Sequence, residues 1–340
     1  MKRMNRCCLM TFILIFSFLF PALAEKEASQ TDPMMVVDET PEPPGWLSEE
    51  DRDRLWMMET PEPRIPKIVD HASYPNTWKD FTFPKSAKVL DIWFPDIRDS
   101  DAAILVYEDR VWMLDCGDER AGERLKILLK QLGITRVNKL FNSHPHHDHL
   151  NGLTAVDDVA PVEELLICFP EDSTEHMKAA MEAAKERNIR VTHFGDEDVF
   201  RMADGRVTLS VWMKSDETRT MNDQSANTMV EYGDCRMLFT ADMERAGQRD
   251  LLAAVGAEAL QADIFKYPHH GKLEPDDDFF AAVNPEVVVI TNYRKAGESW
   301  YYLAIKHIDM LYTNRDGVFL HLATDGVHWL CEYVPIVPVS

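Results

Sequence analysis

The chain has 340 residues and a formal net charge of −22, from 36 Lys and Arg against 58 Asp and Glu. Its composition, 45% hydrophobic and 28% charged, is that of an ordinary globular protein and excludes wholesale disorder and fibrous structure. So acidic a total disfavours broad binding to duplex nucleic acid or anionic membranes, because the long-range field repels polyanions.

Residues 1–24 have the pattern of a cleavable secretory signal peptide. Lys2, Arg3 and Arg6 precede an apolar run over 9–20, and Ala22-Leu23-Ala24 supplies the cleavage site. The run is shorter than the roughly 20 residues that span a bilayer, although an uncleaved anchor is the alternative. Cleavage would remove three basic and no acidic residues and leave a net charge of −25. We expect a protein that is secreted or lies in the periplasm or outer cell envelope, without a membrane segment.

Residues 25–77 are expected to form an acidic, Pro-rich leader or linker. Seven prolines lie between residues 25 and 66, and the stretch Glu-Thr-Pro-Glu-Pro at 39–43 recurs at 59–63. Such a segment has little apolar surface with which to offset the entropy of ordering. One short helix is predicted over 48–58, and a strap that binds a partner is the alternative interpretation.

From residue 78 to 340 the pattern is that of one α/β domain. Alternating or continuous apolar runs predict strands over 88–94, 103–107, 111–114, 137–142, 165–169, 189–194, 206–213, 228–232, 236–240, 263–267, 286–291, 318–322 and 327–333. Helical spacing predicts helices over 120–132, 173–187, 244–254, 276–283 and 300–309. Hairpins and β-α-β units both occur, so mixed sheets covered by helices are expected.

A histidine-rich stretch follows the predicted strand over 137–142. The sequence His144-Pro145-His146-His147-Asp148-His149 holds four of the chain's twelve histidines. Two imidazoles two residues apart can chelate one divalent ion, and an aspartate and a histidine one turn later can hold a second ion beside it. A loop of surface histidines is the alternative, but the aspartate at this spacing and the preceding strand favour a metal site.

Three other predicted strands end on residues suited to the same site. Asp115 and Asp242 each follow an apolar strand, and His269 and His270 follow the strand over 263–267. Alone, each could be a helix cap or a surface side chain. Together they predict a centre of two divalent ions bound by nitrogen and oxygen donors, with Zn²⁺ preferred and Mn²⁺ or Fe as alternatives.

These stretches resemble the metallo-β-lactamase-fold hydrolases, and most of all the hydrolase domain of ComEC-type competence proteins. The group's motifs match here as DIWFPDIRDSDAA at 91–103, LDCG at 114–117, SHPHHDHLNG at 143–152, SANTMVEYGDCRMLFTAD at 225–242 and KYPHHG at 266–271. The resemblance covers about 78–333. It implies a four-layer αββα sandwich with mixed sheets and with the metals at one edge.

The sequence departs from the group's pattern at several positions. Residues 97–100 replace a glycine-rich loop, Ala241 replaces a glycine, and Lys272 replaces a serine. No clear third histidine for the first ion follows the motif, where Asn227 matches an asparagine-bearing segment of the group. The first ion is therefore expected to be bound more weakly than the second.

The predicted roles divide the site into ligands and catalytic groups. His144 and His146 would bind the first ion, Asp148, His149 and His269 the second, and Asp242 would bridge them. Asp148 would also orient the attacking hydroxide. His270 would donate a proton to the leaving group or stabilise the oxyanion, and Asp115 would fix the histidine loop.

The predicted function is that of an exported metal-dependent hydrolase in which metal-bound hydroxide attacks a phosphodiester. The expected partner is a small or single-stranded phosphodiester rather than a long duplex. Lactone or β-lactam hydrolysis is one alternative, and a non-catalytic exported metal-binding or scaffold protein of the same fold is another.

The mature chain would keep Cys116, Cys168, Cys235 and Cys331, with no C-x-x-C pair among them. Buried free thiols are predicted, with a single bridge as the alternative.

Overall fold

The computed structural model describes residues 68–71, 82–295 and 297–337, of which 68–71 are described by backbone alone. The signal segment 1–24 and the helix predicted over 48–58 lie outside these residues and stay predictions. Within the described ranges, no helix is long and apolar enough to cross a membrane.

The described residues form sixteen strands. In chain order they are β1 (Ile68–His71), β2 (Leu90–Phe94), β3 (Ala102–Tyr107), β4 (Arg110–Cys116), β5 (Lys139–Phe141), β6 (Glu164–Ile167), β7 (Arg190–His193), β8 (Val199–Met202), β9 (Val207–Trp212), β10 (Asn227–Tyr232), β11 (Cys235–Phe239), β12 (Ile264–Lys266), β13 (Val287–Ile290), β14 (Asp309–Tyr312), β15 (Val318–Thr324) and β16 (Trp329–Pro335).

Eight α-helices lie in the same part of the chain. They are α1 (Glu119–Gln131), α2 (His147–Leu150), α3 (Leu153–Asp157), α4 (Glu175–Arg187), α5 (Arg245–Val255), α6 (Ala257–Leu260), α7 (Asp277–Val283) and α8 (Ser299–Ile305). A 3₁₀ turn spans Pro268–Gly271. The long helices begin where the sequence supplies caps: Asp118 accepts from the amide of Ala121 at the start of α1, and Thr174 accepts from the amide of Met177 at the start of α4.

The strands form two mixed sheets of similar design. The first has the order β1-β16-β15-β2-β3-β4-β5-β6-β7 and the second β14-β13-β12-β11-β10-β9-β8. In each sheet a run of antiparallel hairpins joins a run of parallel strands, β4 to β7 in the first and β11 to β14 in the second. The predicted α/β class with mixed sheets is confirmed.

Side-chain packing orders the molecule into four layers. Leu125, Leu128 and Leu129 of α1 are fully buried in one apolar cluster with residues of the first sheet. Phe279 and Phe280 of α7 are buried in a second cluster with residues of the second sheet. Between the sheets, the rings of Phe94 and Phe239 lie 6.2 Å apart and those of Tyr107 and Tyr232 5.3 Å apart. This is the αββα arrangement that the sequence predicted.

The structure differs from the predicted elements in several places, among them the short helices α2, α3 and α6, which were not predicted. The helix predicted over 300–309 ends at Ile305, and Asp309–Tyr312 form β14. Val199–Met202 form β8, which was not predicted. Ile68–His71, inside the predicted leader, form β1 and pair in parallel with β16.

The four cysteines of the described ranges form no disulfide bond. Cys116, Cys235 and Cys331 are buried, and Cys168 is partly buried. Burial raises the pKa of the Cys116 thiol well above its usual value, so this side chain is an inert part of the core rather than a reactive group.

Candidate metal centre

The candidate site lies at the edge where parallel strands of both sheets end. Asp115 is the penultimate residue of β4, the histidine motif follows β5, Asp242 follows β11, and His270 follows β12. Because carboxyl ends of parallel strands meet at one edge of a sheet, residues far apart in sequence converge there.

Four buried side chains form the centre of this edge. One ligand atom from each of Asp148, His149, Asp242 and His270 lies within 4.8 Å of the others. Nε2 of His149 is 3.2 Å and Nε2 of His270 is 3.3 Å from Oδ1 of Asp242. Nε2 of His270 is also 3.3 Å from Oδ2 of Asp148. Two carboxylates and two imidazoles therefore face one point.

The polar atoms at this point fit a cation. Nε2 of His149, Oδ1 of Asp242 and Nε2 of His270 are buried, and none of them makes a hydrogen bond with the described residues. A buried polar atom without a partner costs about 1–3 kcal/mol, so three of them around one point need an explanation. A divalent ion bound by these nitrogen and oxygen donors would satisfy all three.

His144 and His146 lie beside this group. Nε2 of His144 is 3.0 Å from Nδ1 of His146, and the rings of His144 and His149 are 4.0 Å apart between centroids. Burial lowers the pKa of His144 well below its usual value, as does the neighbouring His149. A neutral imidazole is the form that binds a metal, so His144 could serve as a ligand; the assignment of the pair to a first ion stays a prediction.

Asp115 fixes the histidine motif through polar contacts with His149 and Ser143. Its Oδ2 lies 2.8 Å from Nδ1 of His149, and its Oδ1 accepts from the amide of Ser143 at 2.8 Å. The hydroxyl of Ser143 donates to Oδ2 at 2.7 Å. The carboxylate thereby orients His149 so that Nε2 faces Asp242, which is the part predicted for it from the sequence.

Asp101, which was not predicted from the sequence, contacts Nδ1 of His270 as Asp115 contacts Nδ1 of His149. Its Oδ1 accepts from Oγ1 of Thr291 at 2.5 Å and lies 3.1 Å from Nδ1 of His270. Its Oδ2 forms an ion pair with Nζ of Lys266, which also donates to the carbonyl of Ala241 at 2.8 Å. Asp101 and Lys266 are both buried. Two signs were present in the sequence: Asp101 lies in the motif at 91–103 that matches the resembling group, and Lys266 lies in an apolar strand.

The two adjacent histidines after β12 take different positions. His270 is buried in the group of four, whereas His269 is partly exposed, with Nε2 3.8 Å from Oδ2 of Asp242 and Nδ1 3.5 Å from Oε1 of Glu244. The structure therefore places His270, predicted as the proton donor, among the candidate ligands. His269, predicted as a ligand, lies at the margin. Their assignment to metal binding or catalysis stays a prediction.

Five of the twelve described non-glycine residues with positive φ lie at this edge. Asp99, Asp115, Ala241, His269 and His270 all have φ between 42° and 55°. A non-glycine residue in this region costs of order 1–3 kcal/mol, and such residues gather at functional sites. Ala241 adopts positive φ where the resembling group has glycine, so the turn before Asp242 keeps its shape despite the substitution.

The charges of the centre are strongly coupled. Burial alone would lower the pKa of His270, but Asp242 and Asp101 raise it to about 10. Burial likewise opposes the charged form of His149, while Asp242 and Asp115 raise its pKa well above the usual value. The buried carboxylates thus stabilise positive charge at this point. Without metal, protons on the two histidines supply that charge; a divalent ion would displace these protons and supply it instead.

A small cavity lies behind the centre. Its volume is about 30 Å³, and it is lined by the polar residues Asp101, Asp115 and Lys266 and by apolar residues that include Phe141 and Phe239. This is about the volume of one water molecule, so this cavity is too small for a substrate.

Comparison with known proteins gives a family for the chain. A family model described as the metallo-beta-lactamase superfamily matches residues 96–291, which include every candidate ligand. No curated protein matches the chain.

Solved structures also show similarity. A putative metal-dependent hydrolase from Parabacteroides distasonis is 16% identical, with 69% of this chain and 97% of that chain covered and a TM-score of 0.43. The metallo-beta-lactamase fold protein YhfI from Bacillus subtilis is 12% identical, with coverage of 66% and 96% and a TM-score of 0.42. A metallo-beta-lactamase from Cronobacter sakazakii is 15% identical, with coverage of 51% and 76% and a TM-score of 0.38.

With identities below 20% and TM-scores below 0.5, these structures say nothing about substrate, and the assignment rests on the family model and the site. That model covers more than half of the chain, and its matched region brings two mixed sheets and a histidine–aspartate centre to one edge. The chain belongs to the metallo-beta-lactamase superfamily.

Proposed function

We propose that this metal-dependent hydrolase cleaves phosphodiesters of small or single-stranded substrates. The observation that carries the proposal is the buried group of Asp148, His149, Asp242 and His270, in which three polar atoms have no hydrogen-bond partner among the described residues. Divalent ions bound there would supply positive charge to a substrate oxygen and acidify a water molecule.

The charge of the centre is compatible with an anionic substrate. Two divalent ions would bring four positive charges to a centre in which Asp148, Asp242 and Asp115 are the acidic groups, since Asp101 is offset by Lys266. With the attacking hydroxide the sum is close to zero, so the buried carboxylates would not repel a phosphodiester from the ions.

The rim of the centre adds a further cation. Lys272 follows His269-His270-Gly271 directly, its side chain is 39% exposed, and Nζ lies 3.6 Å from Oδ1 of Asp99. At that distance and exposure the ion pair is weak. Lys272 therefore remains available to a phosphate oxygen.

The protein's own residues would position the reacting groups. Asp115 holds His149 and Asp101 holds His270 through their Nδ1 atoms, so both Nε2 atoms face Asp242. Asp148, within the histidine motif, has Oδ2 3.3 Å from Nε2 of His270 and would orient the attacking water. Partly exposed His269, next to Asp242, would transfer a proton between the centre and solvent.

Hydrolysis of a panel of substrates tests the proposal. Protein loaded with Mn²⁺ or Zn²⁺ would be assayed on a chromogenic phosphodiester, a short single-stranded oligonucleotide, a lactone and a cephalosporin. We expect turnover of the two phosphodiesters and its loss in Asp148→Asn. Much faster turnover of the lactone or the cephalosporin would overturn the proposal, and no turnover of any substrate would favour a non-catalytic metal-binding protein.

We also propose that the chain is exported after removal of residues 1–24. The basic start, the short apolar run and the Ala22-Leu23-Ala24 site support this proposal.

A further inference from the structure

A cleft lined by three arginines opens at the same edge as the metal centre. Arg98, Arg120 and Arg124 line it together with Asp96, Asp118 and Asn314, and its volume is about 280 Å³. We call it the arginine cleft. Its volume is near the lower end of the range for ligand sites, which suits a phosphate group with part of its substituent.

Two of the three guanidinium groups have hydrogen-bonding capacity to spare. Arg98 is exposed and forms no hydrogen bond or ion pair within the described part of the chain. Nη2 of Arg124 is 3.8 Å from Oδ2 of Asp96, which is too long for a hydrogen bond. Arg120 is committed to Asp118, to which Nε and Nη2 donate at 3.0 and 2.8 Å.

The acidic side chains of the cleft already accept hydrogen bonds from neighbouring residues of its wall. Oδ1 of Asp96 accepts from Nδ2 of Asn314 at 2.9 Å. Asp118 caps α1 by accepting from the amide of Ala121 at 2.7 Å and also accepts from Arg120. Their carboxylates are thus fixed in the walls, while Arg98 and Arg124 keep free donors.

Two hydrogen bonds through Ser100 connect the arginine cleft to the metal centre. The amide of Asp118 donates to Oγ of Ser100 at 2.7 Å, and Oγ of Ser100 donates to the carbonyl of Asp148 at 3.0 Å. Arg98 precedes Asp101 by three residues, so their Cα atoms are separated by at most about 11 Å. Asp101 in turn contacts His270.

We infer that the arginine cleft binds a second phosphate of the substrate, next to the phosphodiester that is cleaved; this inference rests on the proposed function. Guanidinium groups bind phosphate oxygens through paired, charge-assisted hydrogen bonds. In a chain of net charge −22, a local group of cations attracts an anion that the rest of the surface repels. The preferred substrate is then an oligonucleotide or a similar compound with at least two phosphates.

Phosphate binding without metal tests the inference directly. Inorganic phosphate would be titrated calorimetrically into chelator-treated wild-type protein, Arg98→Gln, Arg124→Gln and the control Arg136→Gln. Arg136 is 54% exposed and precedes β5, at the opposite end of that strand from the histidine motif. We expect the dissociation constant for phosphate to rise about tenfold in Arg98→Gln and Arg124→Gln and to stay at the wild-type value in Arg136→Gln.

Hydrolysis of a matched pair of substrates tests whether the phosphate bound in the arginine cleft belongs to the substrate. A single-stranded dinucleotide with a terminal phosphate would be compared with the same dinucleotide without it. We expect a higher kcat/KM for the phosphorylated dinucleotide than for the unphosphorylated one, because its KM is lower. In Arg98→Gln the two values of kcat/KM should become nearly equal. Far-ultraviolet circular dichroism would show that each variant is folded.

The outcomes separate this inference from the proposed function. Equal phosphate affinity in wild-type protein, Arg98→Gln and Arg124→Gln, or no binding at all, overturns the cleft whatever the activity. Hydrolysis of both dinucleotides at equal kcat/KM also overturns it and leaves the proposed function standing. Phosphate binding that is lost in Arg98→Gln, with no hydrolysis of any phosphodiester, upholds an anion site and overturns the proposed function.

Discussion

The pair formed by Asp101 and Lys266 shows how single residues support the centre. Both are buried, and the carboxylate also contacts Thr291 and His270. Removing one partner of a buried ion pair leaves an uncompensated charge and costs about 3–5 kcal/mol, whereas removing both can be nearly neutral. Loss of Asp101 alone would leave the charge of Lys266 unpaired, and loss of Lys266 alone would leave the charge of Asp101 unpaired. The loss of stability is therefore expected mainly when only one of the two is removed.

We predict that Asp101→Asn and Lys266→Met each lower the free energy of unfolding of the metal-free protein by about 3 kcal/mol. The double variant should lose clearly less than the sum of the two, because no unpaired charge remains in it. Urea unfolding of the wild-type protein, the two single variants and the double variant completes a double-mutant cycle. Lys272→Met is the control for loss of an exposed lysine. Additive losses would mean that the two side chains do not act as a pair.

A second buried residue, His321, makes stability depend on pH. It stacks on Trp93 at 3.8 Å between ring centroids, and its two nitrogens lie 2.8 Å from carboxylate oxygens of Asp91 and Glu332. Burial alone would lower the pKa of His321, but these two hydrogen bonds outweigh it and raise the pKa. The folded state therefore binds this proton more tightly than the unfolded state does.

The stabilisation from His321 should be complete below the unfolded pKa of about 6.5 and lost as the pH rises through the raised folded value. We predict that the difference in free energy of unfolding between wild-type protein and His321→Gln shrinks as the pH is raised from about 6 to 9. Urea titrations across that range measure it, and Asp91→Asn should weaken the same dependence. A difference that does not vary with pH would rule out this role.

At the scale of elements, close packing of the histidine loop fixes the centre. Gly152 follows the histidine motif between α2 and α3, and its amide donates to the carbonyl of Gly117 at 2.9 Å. A Cβ at this position would lie 1.9 Å from the carbonyl oxygen of Cys116 at the end of β4. Because the clash is with backbone, no side-chain rotation can relieve it.

We predict that Gly152→Ala lowers the free energy of unfolding by about 3 kcal/mol or more and reduces metal content, since the loop must move off β4. Gly195→Ala is the control: a Cβ there meets nothing within 4 Å, and the change should stay within about 0.5 kcal/mol. Thermal unfolding and metal analysis of both variants would test this. A Gly152→Ala protein as stable and metal-rich as the control would contradict the packing argument.

The sequence predicted the elements whose signals are local and missed those set by distant pairing. Strand ends locate Asp115, the histidine motif and Asp242, because an apolar run that stops at a polar residue is visible in sequence. Asp101 precedes β3, and its partner Lys266 lies 165 positions away, so only the folded sheets bring it to the same edge. The helix predicted over 300–309 was too long because no glycine or proline separates α8 from β14 in the sequence.

At the scale of the whole molecule, the proposed export would set the charge and the compartment of the mature protein. We predict that protein recovered from a secreting host begins at Glu25, since Ala22-Leu23-Ala24 is the small-residue site after the apolar run. Intact-mass spectrometry measures this directly. A product that retains residues 1–24 would remove the export proposal while leaving the metal centre untouched.

The central claim is that one buried centre, built from both sheets, holds the metals on which hydrolysis depends. Metal analysis by mass spectrometry of dialysed wild-type, Asp242→Ala and Asp115→Ala proteins, each shown to be folded by circular dichroism, tests it most directly. We predict close to two divalent ions per wild-type chain, or one tight and one weak. Asp242→Ala should lose more metal than Asp115→Ala, because Asp242 faces both His149 and His270 whereas Asp115 acts through Nδ1 of His149. Full metal content in folded Asp242→Ala would contradict the account.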